Sequence, residues 1–483
     1  MFRKITLITL AVVFLTLSAR SQEAWSLERC VNYARQNSLT VKQARYDVAQ
    51  AELTEKLNKF SRLPNLNANL SGGWNFGKNI NPTTNQFDSD QSFNGNGSVS
   101  SGVILFDGFR INNSIKQSKL DVQAARLDAE AAVNDISLLV AQAYLSILLA
   151  EEQLDNAHTR LQLSQQQLDQ TNKQIAAGVL PENNRLDFEA QVALDQQTIV
   201  EAENQVETNY LTLKQLMEID PNTDIRIETP EVIIPDDVDP DIYQTNEVFA
   251  AALQTQPQIE AGLLRHESAA LQEKIARSGI MPQISVGANI NTRYSSLATD
   301  PAKADFSDAK LVPEDMATPA IINGERTDIT FFNLQGVEVP DMTFFDQLNN
   351  FLGQNVGFQV SVPLYNNHTN KIAMERAKIN ALNQEVVNRQ IRQQLKTDVQ
   401  RAVADAKAAK RSMEAARRSI DAAQAAFENA QKRYDLGAIN SLEFTTARNN
   451  LDQAQIQLTQ SRYQYLFNLK VVDFYLGREL RLD

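Results

Sequence analysis

Between Asp107 and Ala177, large aliphatic side chains recur at every seventh position: Val133, Val140, Ile147, Leu154, Leu161, Leu168 and Ile175. A companion series runs beside them at Val122, Ala129, Ile136, Ala143, Ala150 and Ala157. Two apolar positions per heptad, spaced by three and four, make the narrow seam of a coiled coil rather than the broad face of a globular helix. No proline interrupts the stretch, so the pattern predicts one helix over 107–177, roughly 100 Å long at 1.5 Å per residue.

The same pattern returns 259 residues later. Val399, Ala406, Met413, Ile420, Phe427 and Tyr434 form one seam, and Leu395, Ala402, Ala409, Ala416, Ala423 and Ala430 the other. Gly178 falls on Gly437 and Phe106 on Tyr365, so the chain holds two copies of one unit. Each long helix ends in a reversal, Gly178-Val179-Leu180-Pro181 and Gly437-Ala438-Ile439-Asn440. Shorter helices return over 184–219, with seam Val192, Ile199, Val206 and Leu213, and over 441–476, with seam Leu451, Leu458, Tyr465 and Val472.

Ahead of each long helix the period falls from about 3.6 to 2. Helix is predicted from Leu27 to about Arg62, where Pro64 stops it, and again from Asn246 to just before Met281-Pro282. In the strands that follow, Leu66, Ala68 and Leu70 alternate with asparagines, and Ile284, Val286, Ala288 and Ile290 with Ser285, Gly287 and Asn289. On the return of the second hairpin, Val356, Phe358, Val360 and Val362 alternate with Gly357, Gln359 and Ser361. These are two-faced strands, in hairpins over 64–106 and 282–364. The second hairpin has a long distal loop, 293–352, with a short helix expected near 341–351. The expected organisation is a first repeat over 22–220, a proline-rich linker over 221–245, a second repeat over 246–477 and a tail over 478–483. Short strands are expected in the linker at 225–227 and 232–234.

The chain opens with Arg3 and Lys4, an apolar run from Ile5 to Leu17, and small residues at Ala19 and Ser21. This reads as a secretory signal peptide over 1–21. Past it, no stretch reads as long and apolar enough for a transmembrane helix, and no cysteine marks a lipid anchor at the cleavage point. Losing Arg3, Lys4 and Arg20 with the leader moves the net charge from −13 to −16, which argues against nucleic acid as a partner. Cys30 is expected to be a buried small hydrophobe. His158, His266 and His368 match no metal-ligand spacing, and there is no GxSxG, HExxH or CxxC. No enzyme, metal or cofactor is expected.

An exported chain with four two-faced strands is expected to cross the outer membrane as strands. A sheet in lipid must close on itself, and single-chain barrels begin at eight strands, so several copies must pool theirs. The fold class is therefore an α+β membrane protein: a long α-helical coiled-coil barrel continued by a β-barrel shared between subunits, with two structural repeats per chain. The lipid-facing positions would be Leu66, Ala68, Leu70, Ile284, Val286, Ala288, Ile290, Val356, Phe358, Val360 and Val362. A surface tether or adhesin without a pore is the alternative.

The duplicated order of helix, strand, loop, strand, long helix, glycine tip and shorter helix resembles the TolC family of outer-membrane channels. So do Leu63-Pro64, Met281-Pro282, Leu105-Phe106-Asp107-Gly108 and Arg433-Tyr434-x-Leu436-Gly437. The resemblance implies a homotrimer in the bacterial outer membrane, with a large periplasmic portion. It implies docking at the tips (Gly178, Val179, Leu180, Leu436, Gly437, Ala438 and Ile439) to a periplasmic adaptor, itself bound to an inner-membrane pump. The system would be a tripartite efflux or type I secretion machine. It also implies a gate at the tips. Tyr434 matches the family's tip tyrosine and Glu443 an acid that narrows the pore. Thr446 stands where a second acid is found, and Ile439 replaces an arginine. In the first tip, which carries extra residues at 181–184, Arg185 and Asp187 are the nearest counterparts.

Overall fold

The computed structural model describes residues 24–80, 85, 87–88, 91–229, 240–315, 320–322, 324–327 and 330–478. The predicted signal peptide, the expected strand at 232–234 and residues 479–483 of the tail lie outside them. The chain divides into two compact units. One comprises residues 1–55, 116–271 and 376–483, and the other residues 56–115 and 272–375.

The principal elements follow the predicted order. They are α1 (Leu27–Asn37), α2 (Leu39–Phe60), β1 (Asn65–Asn75), β2 (Ser92–Phe106), α3 (Arg110–Ala176), α4 (Asn183–Met217), α5 (Thr245–Thr255), α6 (Pro257–Ser278), β3 (Gln283–Ser295), β4 (Gly353–Ser361), α7 (Thr369–Asp435) and α8 (Ser441–Tyr475). The two long helices are 67 residues each, and both of their ends match at the offset of 259.

Each predicted leading helix is in fact two helices. Ser38 separates α1 from α2, and Gln256 separates α5 from α6. Gln256 is held extended (φ −89°, ψ 112°) because the ring of Pro257 crowds the helical conformation of the residue before it. Pro257 then begins α6, where its missing N–H costs nothing. Ser38 (φ −53°, ψ 135°) breaks the first copy at the equivalent place with no proline after it. All four helix ends and the start of the following strand repeat at an offset of 218, so the break belongs to the repeated unit.

The helical unit is built on small residues. The companion seam is buried within the chain at Ile136, Ala143, Ala150 and Ala157 on α3 and at Leu395, Ala402, Ala409, Ala416 and Ala430 on α7, and the larger seam at Val140 and Ile147 on α3 and at Val399, Ala406 and Tyr434 on α7. Alanine lets helix backbones approach closely. Leu154, Leu161, Leu168 and Ile175 of the larger seam are only half-buried. Contrary to the sequence reading, one stretch of α3 is long and apolar enough to cross a membrane by length and composition, and half of it is buried. Val140, Tyr144, Ile147 and Leu148 join Leu27, Cys30, Val31 and Ala34 of α1 with Leu213 and Met217 of α4 in the largest core cluster. The linker seals this cluster. Ile227 bridges to Trp25 in parallel, and the Tyr144 hydroxyl donates to Glu228 O at 2.7 Å. Cys30 lies in it, fully buried, and burial pushes its thiol pKa up to about 12.

The strand unit holds a four-stranded sheet in the order β1-β2-β3-β4, antiparallel throughout. A register irregularity falls in β2 between Ile104 and Phe106. Gly108 and Phe109 both take φ of 66° before α3, and Asn367 and His368 take 53° and 61° before α7. In each copy an aromatic pair closes this turn, Phe106 on Phe109 at 5.5 Å and Tyr365 on His368 at 5.7 Å. The distal loop of the second hairpin holds short two-stranded ribbons and the expected helix, Phe344–Asn350.

Candidate functional site

Both tips use the same backbone lock. Gly178 N–H donates to Ile175 O and Val179 N–H to Gln174 O, each at 2.9 Å. Gly437 N–H donates to Tyr434 O at 2.9 Å and Ala438 N–H to Arg433 O at 2.8 Å. This pairing satisfies the last free carbonyls of a helix and requires a left-handed residue. The glycines supply it, with φ of 73° and 70°. The return helices are 35 residues each and stand 258 apart, one fewer than the long helices. The first tip therefore carries a single extra residue, fewer than the run at 181–184 suggested.

Behind the tips, α4, α7 and α8 pool aromatic side chains. Phe188, Tyr434 and Phe444 form a buried cluster, with Leu168, Phe427 and Ile439 packed against it. Tyr434 stacks on Phe444 at 4.9 Å and meets the edge of Phe188 at 6.0 Å. Burial raises the Tyr434 phenol pKa, and the Thr171 hydroxyl pulls it the other way.

A charged layer that sequence reasoning missed lies in the same unit. Arg160 Nη2 reaches Asp195 Oδ1 at 2.9 Å, and its Nε reaches Asp452 Oδ2 at 3.0 Å. Arg448 lies 4.0 Å from Asp195 Oδ2 and donates to Arg160 O at 2.8 Å. Gln191 Nε2 donates to Asp195 Oδ1 at 3.0 Å, and Ser164 Oγ donates to Oδ2. The Asp195 side chain is fully buried. Burial holds the Asp452 carboxyl above the usual carboxylate range against the pull of Arg160 and Arg448. It lowers the Arg448 guanidinium pKa against Asp452 and Asp195. Of the seams expected on the return helices, Ile199, Leu213, Tyr465 and Val472 are buried. Val192, Leu451 and Leu458 are half-buried, while the adjacent Gln191, Asp452 and Thr459 are buried. The signal was in the spacing: Phe188, Gln191, Asp195 and Ile199 recur by three and four, as do Ser441, Phe444 and Arg448.

The other expected gate residues are dispersed. Glu443 is exposed, and its N–H donates to the side chain of the N-cap Asn440 at 2.9 Å, where an acid also suits the helix dipole. Asp187 accepts from Ser441 Oγ at 2.5 Å, tying the two return helices together. Arg185 pairs with Glu182 at 3.2 Å and lies 3.8 Å from Glu189. Thr446 Oγ1 donates back to Leu442 O at 2.7 Å and supplies no second acid. Of the expected docking residues, Gly178, Val179, Leu436, Gly437 and Ala438 are exposed, and Leu180 is half-buried. Ile439 is turned into the aromatic cluster. Exposed Leu186 and Leu442 add apolar surface that the sequence reading did not assign to the tips.

In the strand unit, register sorts the side chains. Residues directly opposite share a face, and Ala68, Val99, Ile290 and then Ala288 with Val356 follow from the pairing. Ten of the eleven positions expected to face lipid fall on this one side of the sheet, joined by Trp74 and Phe93, while Val362 lies past the end of β4. The opposite side carries asparagine, serine, glutamine and glycine, with Ile104 and Arg293 among them. With Leu57 and Phe60 it bounds a depression of about 990 Å³.

The profile of the outer membrane efflux protein family matches residues 30–217 and 346–478. No curated protein sequence matches the chain. Among solved structures, the outer membrane protein VceC from Vibrio cholerae superposes with a TM-score of 0.72 at 15% identity, over 94% of this chain and 96% of that one. The Campylobacter jejuni CmeC outer membrane channel gives 0.68 at 16%, over 93% and 85%. The open state of the Neisseria gonorrhoeae MtrE outer membrane channel gives 0.67 at 17%, over 95% and 90%. At such identities the likeness is one of fold.

Proposed function

This chain belongs to the outer membrane efflux protein family, and on that premise we propose that three copies close a single twelve-stranded barrel in the outer membrane, prolonged by a helical tunnel into the periplasm. The observation that carries the proposal is the four-stranded sheet, whose order leaves β1 and β4 at its two edges with an apolar face between them. An unpaired edge in hydrocarbon costs several kcal/mol for each unsatisfied group, so the edges call for identical neighbours. The half-buried large residues along α3 and the exposed Leu163, Leu194 and Val200 offer the helices a matching apolar surface between copies. The tunnel serves as the exit duct of a tripartite efflux or secretion system, its tips docked on a periplasmic adaptor fed by an inner-membrane pump.

A trimer resisting detergent and heat, with stepwise conductance in planar bilayers, is the expected result. Monomers that conduct nothing would favour a tether. Val286→Arg, placing a cation on the apolar face, is expected to cost about 2–4 kcal/mol near the bilayer midplane. The trimer yield in outer-membrane fractions should fall, while Ser285→Arg, on the other face, should spare it.

Three Glu443 carboxylates, one from each copy, would ring the periplasmic opening. Glu443→Ala is expected to raise single-channel conductance and relieve block by divalent cations. An unchanged conductance and block in that variant would remove Glu443 from the gate.

A further inference from the structure

We infer that the strand wall of the pore is electrically neutral over the depth of the membrane, so that this wall does not sort cargo by charge. The inference rests on the trimeric-barrel reading and adds to it what the wall does to cargo.

Register places Asn67, Ser100, Asn289 and Asn355 in one cross-strand row, with Asn69, Ser98 and Asn291 in the row beside it. A third row is Gly102, Gly287 and Gly357, flanked by Asn65, whose Oδ1 accepts from Gly102 N–H at 2.7 Å. Among the positions of β1 to β4 that share this face, Arg293 is the one ionisable residue. It stands toward the distal end of β3, with its guanidinium 4.7 Å from the centre of the Phe351 ring. The polar side chains of the face are mainly amides and hydroxyls, which both donate and accept and hold no fixed charge. A mature chain with a surplus of acids has kept them out of this wall.

Such a wall suits uncharged, zwitterionic or mixed-charge cargo. Lateral hydrogen bonds to carboxamides replace those to water, and no binding site of one sign forms to trap a permeating ion. The charged groups of the tip region, Arg185, Asp187 and Glu443 among them, belong to the other compact unit.

The test reads the local potential directly. Asn289→Cys introduces a thiol in the wall, on a background where the native Cys30 is buried and its thiol pKa lies near 12. The trimer in liposomes is treated with cationic and anionic methanethiosulfonates of equal size, and modification is followed by mass. A neutral wall predicts a rate ratio within about threefold of that for a free thiol in water. A carboxylate at about 4 Å would skew the ratio by roughly thirtyfold, since it moves the two reagents in opposite directions. Adding Asn355→Asp, directly opposite on β4, is expected to produce such a skew toward the cationic reagent. A ratio already skewed tenfold or more in the single variant overturns the neutral wall and leaves the channel standing. If neither reagent modifies position 289 while both modify Val286→Cys, the face assignment is reversed, and the barrel reading falls with the inference.

Discussion

Asp195→Ala is expected to unlock the tip region of the helical unit. The side chain is fully buried and faces Arg160 at 2.9 Å and Arg448 at 4.0 Å, with Gln191 and Ser164 donating to the same carboxylate. Removing it leaves two guanidinium groups sharing Asp452 alone. Breaking a buried pair on one side costs about 3–5 kcal/mol, because the desolvated charge remains without its partner. Arg160 and Ser164 lie on α3, Gln191 and Asp195 on α4, and Arg448 and Asp452 on α8. The loss should therefore loosen both helical hairpins together. Proteolysis at the tips and thermal melting of the detergent-solubilised protein measure it. Asp195→Asn keeps the shape and can still accept from Ser164, so its effect should be smaller. Melting of Asp195→Ala within a degree of the parent would mean that water screens the network and that it holds nothing in place.

Phe444→Ala is the second large effect. Phe444 is 2% exposed, stacked on Tyr434 and set against Phe427 at 5.7 Å and Phe188 at 6.1 Å. Truncating a buried phenylalanine costs about 3–5 kcal/mol, part of it from the cavity left behind. The two return helices should separate at their tips, raising conductance along with the loss of stability. Tyr434→Phe separates packing from hydrogen bonding. It keeps the stacked ring and removes a buried hydroxyl, so a change of about 1 kcal/mol or less is expected. A Tyr434→Phe channel as open as the Phe444→Ala channel would show that the phenol, and not the ring, closes the tip.

Much of the fold was legible along the chain because its signals are local. Alternation at period 2 assigned each strand residue to a face, and the ladder preserved the assignment, since opposite residues in an antiparallel pair point the same way. Gly178 and Gly437 marked the helix ends because a left-handed cap excludes most other residues. The break at Gln256 had a visible cause in Pro257. The break at Ser38 did not, and only its place in the repeated unit explains it. Ile439, expected at the docking surface, is half-buried against the cluster of Phe188, Tyr434 and Phe444, a contact between elements that periodicity alone does not reveal.

By itself the sequence determined that the chain is two copies of one unit, that its strands have one apolar face each, and that its long helices carry heptad seams ending in glycine reversals. Those features follow from covalent geometry and periodicity within single elements. Tertiary structure decided how far along each helix the two seams are buried. A heptad repeat sets the angular spacing of side chains on a helix but not the rotation of the helix against its neighbours. Alanines of the companion seam and the charges of Arg160, Asp195, Arg448 and Asp452 took the interior because close-packed backbones favour the first, while the second satisfy one another only where helices distant in sequence meet. Toward the tip of α3 the larger aliphatic residues Leu154, Leu161, Leu168 and Ile175 are left half-buried.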